Sequence, residues 1–381
     1  MLSKSKWIIV STGFAIFSMF FGSGNLVFPI AVGKESEGHF LLAAFGLILT
    51  GVIAPLLGAL AIMLYRGDTK AFFETVGKPA AFWIPLISLS LMGPFGVLAR
   101  CITVAHGSFH SVFSSTPLWA FSLVSCIVIY LFTMRKNHII PLLGTFLTPL
   151  LLTLLLVTAT FGFIGGELTE SSPHGHVDAF TNGFFKGYQM MDLVASFFFS
   201  TFVIQHLMRK LPDAESQPSL SIFLKSAGLG GALLGVIYVC LSMLGGLYAV
   251  ELADVPATEM LNVIAQQALG PMAAPILSGT VILACLTTGV VLASLFADFL
   301  RKDISKNKIS PAAAMAVTLA ISFVISTLEF SGIASFLGPI LETIYPALIV
   351  LTLVNIANKL WGLPQSRWPV AATVVLKLLW F

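Results

Sequence analysis

Apolar residues run through this chain in long unbroken blocks separated by short polar punctuation, without the spacing of 3.6 or two residues that marks half-buried helices and strands. Each block approaches the roughly 20 residues a helix needs to cross a bilayer. Such blocks fall near 7–31, 40–65, 80–105, 117–134, 139–164, 183–208, 225–250, 272–299, 311–330, 332–356 and 368–381. They predict an all-α membrane protein, a single polytopic bundle of about 11 transmembrane helices. Residues 254–270 are amphipathic and too polar to span, and they predict a helix lying over the external face.

The first block is interrupted. Gly22, Ser23, Gly24 and Asn25 stand in its middle and Pro29 follows. Freed peptide groups at bilayer depth cannot turn to lipid, so they must face protein, water or a ligand. A break there leaves one half-helix ending in carbonyls, which suit a small cation, and another beginning with N–H groups, which suit a carboxylate. Glycine lets a ligand approach the backbone. The alternative is a glycine-rich packing face with a proline kink, which is common in membrane helices.

Composition sharpens the class. The 381 residues are 57% hydrophobic and 10% charged, against roughly 25% charged in an average soluble domain. A net charge of +3 gives no reason to expect nucleic acid. The four cysteines, Cys101, Cys126, Cys240 and Cys285, fall in apolar blocks without CxxC spacing and read as small buried hydrophobes. Phosphate-loop, Ser/His/Asp and HExxH signatures are lacking, which argues against an enzyme.

Charge then sets the orientation. With the N-terminus inside, only Lys34 and Lys186 of the 20 basic residues fall outside, and Arg100 and Lys377 fall within blocks. The remainder, from Lys4 and Lys6 through Arg135, Lys136 and Arg209 to Arg367, lie on the cytoplasmic side, as the positive-inside rule requires. Glu167, Glu170, Asp178, Glu251, Asp254 and Glu259 fall outside. Five blocks precede the polar segment 165–182 and five follow. Repeats at about 7–164 and 183–356, plus an extra helix at 368–381, would enter the membrane from opposite faces and form an inverted pair. In the sixth block hydroxyls and aromatics crowd the middle, at Ser196, Phe197, Ser200 and Thr201. No glycine or proline sits among them, so a second break there rests on symmetry. Adjacent Thr287 and Thr288 in block eight either bond their own helix or add hydroxyls to a sodium cage. Arg100 inside block three needs a partner, and Asp192 and Glu342 are the intramembrane carboxylates available, in a structural ion pair or a gate.

The stretch Phe20-Phe-Gly-Ser-Gly-Asn-Leu-Val-Phe-Pro29 resembles the bacterial branched-chain amino acid:cation symporters (the LIVCS, or BrnQ, family). So do Gly93-Pro94 with Arg100, Gly187-Tyr-Gln-Met-Met-Asp192, Leu286-Thr-Thr288 and Ile344-Tyr-Pro346. That family is similar to the amino-acid–polyamine–organocation group, which implies a five-plus-five inverted repeat with helices one and six broken. The break and the run Ala284-Cys-Leu-Thr287-Thr288 also resemble the neurotransmitter:sodium symporters. By position, this likeness implies that carbonyls of Ser18, Phe21 and Ala284 and hydroxyls of Thr287 and Thr288 hold sodium. It implies amides of Gly22, Ser23 and Gly24, beside Asn25, for the substrate carboxylate, and Ser196–Thr201 for the rest of the pocket. Three departures stand out: the family usually has a twelfth span, Ala99 replaces a proline, and Met190 replaces a threonine. Met190 and the run Phe197–Phe199 suit an aliphatic or thioether side chain. The expected function is import of leucine, isoleucine and valine coupled to sodium, with no cofactor, across the bacterial cytoplasmic membrane. The rival readings are a proton-coupled carrier of another apolar amino acid such as methionine, with Asp192 or His206 titrating, and a passive pore.

Overall fold

The computed structural model describes residues 4–134, 148–166, 175–210, 220–364 and 367–379. Arg135, Lys136, Glu167, Glu170, residues 139–147 of the fifth block, 380–381 of the last and the side chains of Arg209 and His206 lie outside the described set. The described residues form helices and no strand. Among the described residues, five helical stretches are long and apolar enough to cross a membrane, and further apolar helices of 10–17 residues accompany them.

The first crossing is two helices, α1 (Lys4–Phe20) and α2 (Ser23–Ser36), parted at Phe21 and Gly22. The second runs through α3 (Phe40–Ile48) and α4 (Ala54–Leu64), joined by a π turn at Leu49–Ile53. After the short α5 (Thr69–Glu74), the third is also parted, into α6 (Ala80–Met92) and α7 (Val97–His110). Pro94, lacking an N–H, and two glycines occupy that gap. Next come α8 (Leu118–Met134) and α9 (Thr148–Gly165).

The sixth crossing departs from expectation. It starts earlier, as α10 (His176–Met190), and parts at Met191 before α11 (Asp192–Lys210). Met191 takes a left-handed backbone with φ 66°, a conformation that costs a non-glycine residue about 1–2 kcal/mol. Its N–H still donates to Tyr188 and its carbonyl accepts from Ala195, so the chain turns with few unpaired groups. The break therefore precedes the hydroxyl-rich segment.

The remaining helices are α12 (Leu220–Leu247), the short α13 (Met260–Leu269) and α14 (Ala273–Phe299). Then come α15 (Pro311–Ser326), α16 (Glu329–Trp361) and α17 (Trp368–Leu379). Packing follows a pattern of exchange. The first crossing lies along α12, and the second lies along the sixth, α3 on α10 and α4 on α11. Swapping crossing one for six and two for seven turns one contact into the other, as an inverted repeat requires.

Both contacts rest on glycine. A methyl group at Gly33 would overlap the Ser242 carbonyl, and one at Gly183 would overlap the Ala43 carbonyl. Backbone meets backbone there, so neither side can yield. Gly33→Val and Gly183→Val should each lower the thermal unfolding midpoint of the purified protein. The expected cost is about 1–3 kcal/mol or more from overpacking. Gly228→Val, where nothing lies within 4 Å, should leave the midpoint nearly unchanged. Equal midpoints in all three variants would refute this packing.

Candidate functional site

Three interruptions meet at one place. A cavity of about 30 Å³ is lined by Gly22–Asn25 at the first break, by Met190–Asp192 at the second, and by Met92 and Val97 on either side of the third. Thr288 of α14 completes its polar side, and Met19, Phe20, Ala195, Phe199 and Leu292 its apolar side. The π turn of the second crossing abuts it too, because a methyl group at Gly51 would reach Met190 and Tyr238. Irregular backbone at bilayer depth has to serve protein or a cavity, and here it gathers around one.

A buried polar lattice ties the first two breaks together. The amide of Asn25 donates to Asp192 Oδ2 at 2.7 Å and to the Tyr238 hydroxyl. Tyr238 in turn donates to Asp192 Oδ2 at 3.2 Å. The carbonyl oxygen of Asn25 accepts the Gly22 N–H at 2.9 Å, reaching back from the first turn of α2 as a capping residue does. Asn25, Asp192 and Tyr238 are buried. Asp192 opens α11, where the helix dipole favours a negative charge. Its second oxygen, Oδ1, receives no hydrogen bond from a described residue, and the residue lines the cavity. The site thus offers a carboxylate oxygen, a helix N-terminus, a hydroxyl and an apolar wall.

A family model described as branched-chain amino acid transport protein matches residues 4–380. The chain belongs to that family. A branched-chain amino acid transport system 3 carrier protein of Pseudomonas aeruginosa is 27% identical over 380 residues, covering 98% of this chain and 85% of its own. A branched-chain amino acid permease, BrnQ, of Corynebacterium glutamicum is 28% identical over 379 residues, covering 99% and 86%. Among solved structures, the inward-facing conformation of Mhp1 superposes with a TM-score of 0.66 at 13% identity, covering 92% of this chain and 77% of that one. Mhp1, a nucleobase-cation-symport-1 family transporter, in a closed conformation gives 0.64, covering 97% and 91%. At that identity the likeness shows the fold alone. This branched-chain transport protein is accordingly a multi-pass membrane transporter with the Mhp1 fold, and not an enzyme.

The transport protein distributes its sequence-predicted residues unevenly. Gly22, Ser23, Gly24 and Asn25 line the cavity. The Ser23 hydroxyl accepts from Cys101 Sγ at 3.4 Å. None of Ser196, Phe197, Ser200 and Thr201 lines it. Ser196 bonds the Leu193 carbonyl, Ser200 the Ser196 carbonyl and Thr201 the Gly67 carbonyl. Phe197 stacks against Phe72 and Phe73. Phe199, a neighbour in the same run, does face the cavity.

Of the residues assigned to sodium, Ser18 lies in the last turn of α1 and Phe21 in the break. The Thr287 hydroxyl donates to the Ala284 carbonyl at 2.8 Å, the local bond that threonine makes in any helix. Thr288 points to the cavity, its methyl 3.8 Å from where a Gly22 side chain would begin. Its hydroxyl makes no hydrogen bond to a described residue. Arg100 pairs with neither carboxylate: among the described residues no ion pair joins it to Asp192 or Glu342, and Glu342 is half-exposed. Tyr238 was not anticipated. A signal existed, because a tyrosine at the centre of an apolar span, far from the headgroups, needs a polar partner.

Proposed function

We propose that this protein imports leucine, isoleucine and valine across a bacterial cytoplasmic membrane, N-terminus inside, by alternating access coupled to sodium. One observation carries the proposal: three interrupted helices enclose a single cavity with a polar and an apolar side. That pattern fits a small zwitterion with an aliphatic side chain. Its carboxylate would meet the N-terminus of α2 at Ser23 and Gly24. Its ammonium or the coupling cation would meet Asp192 Oδ1. Its side chain would lie against Met19, Met92, Met190 and Phe199. A pocket of this kind separates aliphatic side chains weakly, since one methylene is worth only about 1–3 kcal/mol. The present cavity holds about two water molecules, so binding an amino acid requires the half-helices to part, as rocking of one bundle against another would do.

Sodium would use Thr288, the last-turn carbonyls of α1 and Asp192, oxygens suited to a hard cation. Thr288→Val should weaken the apparent sodium affinity of uptake about tenfold or more and leave the unfolding midpoint unchanged, because that hydroxyl bonds no other described residue. An unaltered sodium dependence would remove α14 from the ion site. Leucine uptake into proteoliposomes, with sodium and pH gradients imposed separately, tests the whole reading. Accumulation driven by the pH gradient alone would replace sodium by the proton. Two observations favour that second reading, which also admits methionine as substrate. The Thr287 hydroxyl is already committed to its own helix, and the buried Asp192 forms no salt bridge among the described residues.

A further inference from the structure

Arg100 is 1% exposed and sits one turn after the third break. Its Nη1 donates to the Gln189 carbonyl at 2.5 Å, at the C-terminal end of α10 where a helix presents bare carbonyls. The guanidinium carbon lies 5.2 Å from the Phe28 ring and 5.5 Å from the Phe330 ring. One carbonyl, a helix end and two aromatic faces offset part of its charge. They leave Nε and Nη2 buried without an acceptor among the described residues. The Tyr345 hydroxyl, 0% exposed, likewise finds no acceptor among the described residues and lies by the backbone amides of Leu193 and Val194. Tyr345 lies within Coulombic range of Arg100, and its ring packs on Tyr188, next to Gln189, at 4.8 Å between centroids. Three buried donors of two residues therefore lack acceptors in one region. A water molecule could accept from them but would leave the charge uncompensated at bilayer depth.

We propose that Arg100 and Tyr345 form a binding site for a small monovalent anion, a halide such as chloride, behind the wall of the substrate cavity. The substrate's carboxylate is the other source of that chemistry. It is disfavoured because neither Arg100 nor Tyr345 lines the cavity. Two carboxylates compete for the neighbourhood. Asp192 is held by Asn25 and Tyr238, and Glu342, one turn before Tyr345, is half-exposed. Neither reaches Arg100 as an ion pair. An anion here would brace the second break from behind, since Arg100 holds the last turn of α10.

The test is thermal unfolding of the purified full-length protein in sodium chloride against sodium gluconate at equal ionic strength. No amino acid and no ion gradient is present, so the outcome is separate from the transport reading. Chloride should raise the midpoint by at least about 2 °C. Tyr345→Phe, which keeps the ring and its stacking, should weaken the apparent chloride affinity about tenfold or more. Arg100→Gln, which keeps a donor for the Gln189 carbonyl, should abolish the chloride effect. Equal midpoints in the two salts for the unaltered protein would overturn the proposal. So would a chloride effect that survives Tyr345→Phe unchanged. Stabilisation by leucine in gluconate that Arg100→Gln removes, with no response to chloride, would also overturn it and give the guanidinium to the substrate.

Discussion

Asp192→Asn should reduce leucine uptake about 100-fold or more while the protein remains folded. The substitution separates the two jobs of this side chain. Its Oδ2 accepts from Asn25 and Tyr238, and an amide oxygen can take that place. Its Oδ1 takes no hydrogen bond from a described residue, and the side chain lines the cavity, where an asparagine would present an N–H donor and no charge. The polar lattice between the breaks would survive, and a neutral amide is cheaper to bury than a carboxylate. A cation in the cavity would lose its charged partner. Breaking a buried ion pair costs about 3–5 kcal/mol, which at 1.4 kcal/mol per factor of ten is 100-fold or more. Uptake within about threefold of the unaltered protein, measured at equal reconstitution, would remove Asp192 from the transport cycle.

The same variant distinguishes the coupling ion. If Asp192 carries a proton, the neutral variant mimics the loaded form. It should then still exchange external for internal leucine while failing to accumulate it against a gradient. If Asp192 meets the substrate ammonium or sodium, exchange and accumulation should fall together. Asn25→Ala offers a contrast. It removes both the acceptor for the Gly22 N–H and the amide between Asp192 and Tyr238, so it should lower the unfolding midpoint as well as uptake.

How much of this site could be read beforehand depended on whether the chemistry was local. The first break was legible because helix-poor residues, Gly22, Gly24 and Asn25, stand together inside an apolar block with Pro29 after them. The structure parts the helix at Phe21 and Gly22, at the edge of that run. The second break was inferred from symmetry and placed in the wrong residues. Met191 has no intrinsic preference for its backbone; tertiary contacts hold it. Arg100 takes the Gln189 carbonyl on one side, and Asn25 takes Asp192 on the other. No property of the local sequence reports such contacts. The hydroxyls at Ser196, Ser200 and Thr201 are less direct pointers: Ser196 and Ser200 bond carbonyls of their own helix, Thr201 bonds Gly67, and Ser200 lines a neighbouring cavity that shares Met19, Phe20 and Phe199 with the first. Thr287 and Thr288 show both outcomes in adjacent positions, because their side chains leave the helix in different directions. The partner of Arg100 was unreadable because sequence distance does not say which carboxylate lies near, and the structure supplies none as an ion pair.

Gly22→Leu should abolish leucine uptake, and Gly22→Ala should reduce it partially, without unfolding the protein. The backbone at Gly22 has φ −116° and ψ −165°, an extended conformation open to any residue. Glycine is therefore not needed there for the turn. A side chain would begin 3.6 Å from the Asn25 amide oxygen and 3.8 Å from the Thr288 methyl, ordinary contacts that displace nothing. It would grow into the space between the first break and α14. In a cavity of about 30 Å³ even one methyl group takes a sizeable share, and an isobutyl group leaves no room for a substrate backbone. Alanine at position 22 should also keep or raise the unfolding midpoint, since a methyl group fits the void and buries apolar surface. That combination of lost transport and retained stability is what a binding space requires. A glycine kept for helix packing would behave in the opposite way, as Gly33 and Gly183 should. Full uptake by Gly22→Leu would mean that the substrate passes elsewhere and that the meeting of the three breaks is only structural.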